Sequence, residues 1–374
     1  MNTPELREQC AQQLTAAAGR APQLTVFAGL DGFVDEIIHV VDKRDNAESY
    51  KRVATISSLA ERIQGAAGKS ANIELVNQRT KLGGNGPILA NALASFGLKV
   101  IYLGALGYPT IHPVFSAFCK RAEVYSLAEP GHTDALEFED GKLMLGKSIQ
   151  LKEVNWANIQ ERFGRDRFKQ YFSNADLVAF VNWTMIPYMT ELWEALQREV
   201  CPTLRGRRRL MFFDLADPEK RLVNDIARAL EFVGRFQEYF DVILGLNEKE
   251  ALELMKVLGI QAKPATPEGL SELGSEIVRL LEINTLVIHP TRYALAASKE
   301  GAHVVDGPYI SKPLITTGAG DHFNSGFCMG RLLGLDNQMS VLAGVTTSGF
   351  YVRTAKSPSI PELADMLRHW PATS

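Results

Sequence analysis

The sequence has 374 residues, Lys+Arg 40 against Asp+Glu 43, and a formal net charge of -3, which excludes nucleic acid or an anionic membrane as its main partner. Hydrophobic residues at 46 % supply a sizeable core, and the length suits two or three domains or one large α/β domain with insertions. Cys 4 and His 7 are scattered without metal-ligand spacing, which excludes a disulfide framework and a structural zinc site, and no apolar run nears the ~20 residues of a membrane span.

Residues 1–23 open with a polar, helix-like stretch and carry no apolar segment ahead of a cleavage site, so they read as a helical extension and not as a signal peptide. The expected compartment is the cytoplasm. Apolar, β-rich runs then alternate with helix patterns, at 24–30, 99–103, 177–181, 210–214, 242–246 and 285–289. The clearest helix is 87–96. Pro87 stands in its first turn, Ile88, Leu89, Ala92, Leu93 and Phe96 form one stripe, and Gly97 stops it. Strands alternating with helices imply an α/β fold with a doubly wound, mostly parallel sheet and helices on both faces.

Two segments break this rhythm. Residues 35–82 hold short alternations around an amphipathic helix at 54–64. Residues 134–151 hold a hairpin across Asp140-Gly141, with Phe138 facing Leu143 and Glu139 facing Lys142. Together they predict a small antiparallel β lid, leaving 24–34, 83–133 and 152–374 as the α/β core. Leu136, Phe138, Leu143 and Leu145 share one hairpin face. It needs cover from substrate, from the strands of 35–82, or from a second subunit. The basic run 205–209 reads as a solvated loop. Gly68-Lys69-Ser70 follows a helix, and its first Gly is too close for a phosphate-binding P-loop.

The most informative stretch is Thr316-Thr317-Gly318-Ala319-Gly320-Asp321, followed by a small and apolar helix pattern. Small residues leave backbone N–H groups uncovered, and N–H groups at a helix start bind anions. A carboxylate in the same turn can take the proton of an attacking hydroxyl, although Asp is also common as a helix cap. Asp31 and Asp35 follow the first strand, where open α/β sheets bind ligands. Asn247 and Glu250 follow the strand 242–246, and Asn before Glu at this spacing also fits a capping box.

Taken together these pieces resemble the ribokinase-like (PfkB) carbohydrate kinase family. Its C-terminal signature is matched by Gly318-Ala319-Gly320-Asp321, and its Gly-Gly pair before an alanine-rich helix by Gly83-Gly84. Asn247-Glu248-Lys249-Glu250 matches its Asn-x-x-Glu motif, and Pro358-Ser359-Ile360-Pro361 its late Pro-Ser segment. The resemblance covers nearly the whole chain. It implies a ribokinase-like fold and transfer of the ATP γ-phosphoryl group to a hydroxyl of a small sugar or sugar-like substrate. Asp321 would be the base, with Gly318, Ala319 and Gly320 as anion hole. Asp31 or Asp35, Gly84 and Asn85 would bind substrate. Asn247, Glu250, Thr317, His289 and Thr291 would serve the nucleotide, with Glu250 meeting Mg²⁺ through water. The family also implies a homodimer through the lid.

Three departures stand out. Ile315 replaces the signature's leading Asp, so the monovalent cation many members use is not expected, and potassium activation with it. Ile88 replaces a sugar-contacting Asn. The nucleotide shoulder 288–293 lacks both its glycines. A nucleoside kinase or a catalytically silent sugar sensor on the same fold are the alternatives.

Overall fold

The structure, a computed structural model, describes residues 2–372. Its strands are β1 (Thr25–Leu30), β2 (Phe33–Arg44), β3 (Tyr50–Arg52), β4 (Leu75–Gly83), β5 (Lys99–Gly104), β6 (Glu123–Ser126) and β7 (Gly131–Phe138). They continue with β8 (Gly141–Lys147), β9 (Leu177–Val181), β10 (Arg209–Asp214), β11 (Phe240–Leu246), β12 (Thr285–Ile288), β13 (Tyr293–Ser298) and β14 (Gly301–Asp306). A 9-stranded sheet runs β14-β13-β12-β11-β10-β9-β1-β5-β6. From β12 to β6 its neighbours pair in parallel; β13 and β14 are antiparallel. All six expected strands lie in it. Each is buried on both faces, so apolar residues run without alternation, the pattern of a parallel sheet covered by helices.

Residues 26 to 28 of β1 alternate between two cores, Phe27 into one and Val26 and Ala28 into the other, and Leu30 at the strand end joins Phe27. The second core takes Phe323 and Phe327 of the helix Ala319–Leu333, and Cys10 and Leu14 of the helix Pro4–Ala17. The N-terminal helix therefore packs as part of the core. The helix predicted over 87–96 spans Asn85–Ser95, with Gly84 as its cap.

The smaller sheet runs β3-β2-β7-β8, with β4 on the other edge of β2. It corrects the sequence reading in four ways. First, β2 and β7 pair in parallel, so the lid is mixed and not antiparallel. Second, it takes in Phe33, Val34 and Gly131 to Thr133, which the sequence assigned to the core. Third, the hairpin pairs Leu136 with Leu143, Glu137 with Lys142 and Phe138 with Gly141, so the loop is Glu139-Asp140. Contacts elsewhere fix that register: the Glu139 N–H donates to Ala54 O, and Asp140 Oδ1 accepts from the Ile56 N–H at 2.8 Å. Fourth, Leu136 and Phe138 are buried against Ile38, Val40, Val53 and Leu59 of the helix Ile56–Gly65. The chain itself covers Leu136 and Phe138, with Leu143 partly buried beside them, while Leu145 on the same face is 50 % exposed.

Candidate active site

Strands β1, β9, β10 and β11 end on one side of the sheet. Asp31, Asn182 and Asn247 follow β1, β9 and β11 directly, and Asp214 closes β10. Two cavities lie there. One, of about 590 Å³, is lined by Asp35, Gly84, Asn85, Asn182, Glu250 and Asp321 among others. The other, of about 420 Å³, is lined by His289, Thr291, Tyr309, Ala319, Gly320 and Phe323 among others. Asn247 lines both, and the turn Thr317 to Asp321 stands between them, with Gly318 and Asp321 on one side and Ala319 and Gly320 on the other.

That turn opens the helix Ala319–Leu333. Gly318 is its N-cap at φ +92, a left-handed conformation that favours glycine. The first helical N–H groups have no acceptor within the helix. The Ala319 N–H reaches Thr316 O at 3.1 Å, which leaves the neighbouring amides for an anion. Gly320 is also tight: a Cβ there would meet the His289 ring at 3.1 Å.

Asp321 is 7 % exposed, and Asn85 Nδ2 donates to its Oδ1 at 2.9 Å. Burial pushes its pKa up to about 8; the Asn85 hydrogen bond opposes that, and nearby Asp31, Glu250 and Asp35 add to it. Asn85 is the first helical residue after the Gly84 cap and not the cap itself. Its side chain is thereby free to hold Asp321.

The two early aspartates separate. Asp31 is fully buried and accepts from the Asn85 N–H at 3.0 Å, the Gly86 N–H at 2.8 Å, Asn182 Nδ2 at 2.7 Å and Tyr102 Oη. Its acceptors are taken up inside the fold, and it does not line the cavity. Asp35 does line it, from β2. Desolvation raises its pKa, against Lys81 and Thr133. Gly83 packs on this carboxylate so closely that a Cβ would overlap it.

Asn247 and Glu250 form a full capping box on the helix Glu248–Val257. Glu250 Oε2 accepts from the Asn247 N–H and Oε1 from the Asp217 N–H, both at 2.9 Å. Glu250 still lines the larger cavity, and each of its carboxylate oxygens keeps a second lone pair. Asp214 Oδ2 accepts from Asn324 Nδ2 at 2.8 Å and Oδ1 from the Ala216 N–H, so it braces a turn. The His289 ring tilts against Phe323 at 4.9 Å, and burial pushes its pKa down to about 4, leaving it neutral.

The model of the prokaryotic ketohexokinase family matches residues 2–370. The chain belongs to that family. It is therefore a carbohydrate kinase, a phosphotransferase with an alcohol acceptor. A ketohexokinase of Haloferax volcanii is 30 % identical over 340 residues, 90 % of this chain and 89 % of that protein. Among solved structures, a phosphofructokinase-2 variant from Escherichia coli aligns at TM-score 0.62 and 14 % identity, over 93 % of this chain and 98 % of the other. Arabidopsis thaliana ribokinase with ribose and ATP aligns at TM-score 0.60 and 14 % identity, over 92 % and 98 %. These two share the fold.

Within this prokaryotic ketohexokinase relative, sequence reasoning missed three side chains. Asn182 sits in left-handed backbone at φ 61, donates to Asp31, and leaves its Oδ1 buried without a partner. Lys142 on β8 reaches from the lid to the hydroxyls of Thr317 and Thr316. Lys81 on β4 stands opposite Asp35, and desolvation lowers its pKa. For Lys142 and Lys81, alternation on the lid strands was the available signal. Asn182 had none beyond its place after a strand.

Proposed function

We propose that this chain transfers the γ-phosphoryl group of ATP to a hydroxyl of a ketohexose, with Asp321 as the base. The observation that carries this reading is the turn Thr317 to Asp321, which stands between two cavities at the start of a helix, with Gly318 on one side and Ala319 and Gly320 on the other. The smaller cavity suits the nucleotide, with His289 and Thr291 on its wall, and the larger suits the acceptor. Asp321 takes the hydroxyl proton, the oxygen attacks the γ-phosphorus, and ADP leaves. The amides of Gly318, Ala319 and Gly320 then meet charge developing on the phosphoryl oxygens, Ala319 by releasing its turn contact.

The acceptor cavity presents the carboxylates of Asp35, Glu250 and Asp321 beside the hydroxyls of Thr133 and Thr317 and the ammonium of Lys220. A neutral molecule rich in hydroxyls complements that set. Gly84 and Asn85 border it, and Lys142 closes the lid over the phosphate turn. Asp31 acts through Asn85 and Asn182 and not on the sugar.

No group of three His, Cys, Asp or Glu among the described residues could hold a metal directly. Mg²⁺ keeps several waters, so Glu250 and Asn247 fit as residues that orient its hydration shell. When bound, Mg²⁺ offsets phosphate charge. Thr317 O already has a protein donor in Tyr351 Oη, and we propose that potassium is not needed. An ADP-release assay over ketohexoses, aldohexoses and nucleosides, in potassium and in tetramethylammonium salts, tests the reading. Ketohexoses should lead, at equal rates in both salts. Turnover of nucleosides alone would overturn it.

A further inference from the structure

The phosphate turn is held from behind by side chains that touch neither cavity's contents. Thr317 O accepts from Tyr351 Oη at 2.9 Å, although Tyr351 lies 34 residues further along the chain. Gly318 O takes two donors from His322, the backbone N–H at 3.0 Å and the ring Nδ1 at 2.7 Å. A carbonyl only accepts, so Nδ1 carries the proton. His322 Nε2 is then the acceptor for Ser357 Oγ–H at 2.9 Å. The His322 and Tyr351 rings stack at 3.6 Å and 12°. His322 is 2 % exposed and Tyr351 8 %.

This arrangement fixes the turn's peptide planes. In a trans peptide the C=O and the next N–H point opposite ways. With Thr317 O turned to Tyr351, the Gly318 N–H faces away from it, and Gly318 lines the acceptor cavity. With Gly318 O turned to His322, the left-handed Gly318 backbone that starts the helix is locked. An anion hole works only if its donors are fixed before charge develops.

We propose that His322 and Tyr351 are positioning residues for phosphoryl transfer, clamping the Thr317 and Gly318 carbonyls so that the anion hole is preformed. The proposal rests on the kinase reading above. Burial pushes the His322 pKa down to about 4, which keeps the required neutral tautomer through the physiological range.

Tyr351→Phe removes one oxygen and keeps the stack. It should lower kcat about five-fold with the KM for sugar unchanged, the worth of one neutral hydrogen bond expressed in the transition state. His322→Phe keeps a ring, loses both ring hydrogen bonds, and should lower kcat about ten-fold or more. His322→Asn, whose Nδ2 occupies the place of Nδ1, should recover part of that loss. A merely structural role would lower stability without this split or rescue. The same variants are titrated by calorimetry with ADP and with ADP plus aluminium fluoride, a mimic of the transferring group. Tyr351→Phe should weaken only the second complex. Absence of turnover in the wild type would sink the kinase reading, and the calorimetric comparison would still decide the clamp. Should His322→Phe fail to fold, Tyr351→Phe carries the test. A kcat and an aluminium fluoride affinity of Tyr351→Phe within two-fold of wild type would overturn the clamp.

Discussion

Asp321 must be ionised to accept a proton, yet burial holds its pKa near 8. Activity should therefore rise with pH along an acid limb of kcat/KM placed near that value. The Asn85 amide favours the charged form, so Asn85→Ala should move the limb to higher pH as well as lowering the rate. A pH profile in which the limb stays put would show that Asn85 does not tune the base. The same shift has a consequence for stability. A carboxyl whose pKa is raised on folding binds its proton more tightly in the native state, so its contribution is full below the unfolded value and is lost as pH climbs towards 8. Asp321→Asn should therefore gain stability over wild type across that window, read as a Tm difference that widens from pH 4 to pH 8. A difference that stays flat would mean the carboxyl is not destabilised by burial.

The lid is the element whose packing departs furthest from its sequence pattern. Phe138 lies in a small core with Ile38, Val40, Val53, Leu59 and Leu136. Phe138→Glu buries an unpaired charge there, a change on the order of 3 kcal/mol or more against the lid. Amide hydrogen exchange should rise across β2, β7 and β8, while β9, β10 and β11 stay protected, and the KM for sugar should increase. If instead exchange were unchanged and light scattering showed a dimer falling apart, Phe138 would be an interface residue after all. The hairpin itself was legible, because Asp-Gly between alternating residues marks a turn. Its register was not, because Ala54 and Ile56, more than 80 residues upstream, take Glu139 and Asp140 out of the ladder.

Across the whole molecule, what could be read were the buried parallel strands and the phosphate turn. Uninterrupted apolar runs such as 177–181 and a Gly-Ala-Gly-Asp helix start both announce themselves locally. The parallel pairing of β2 with β7 joins residues about 100 positions apart and leaves no local trace. The division of labour between Asp31 and Asp35 was equally hidden, since it depends on four donors that only the fold brings to Asp31. The same holds for Glu250, whose cap and cavity positions coincide. The account stands or falls on Asp321 as the base in the turn between the cavities. The direct measurement is kcat of Asp321→Asn with a ketohexose, alongside ATP binding by calorimetry. The account predicts a kcat lower by a factor on the order of 10² or more, the usual worth of a general base, with ATP still bound. A kcat near that of wild type would contradict it.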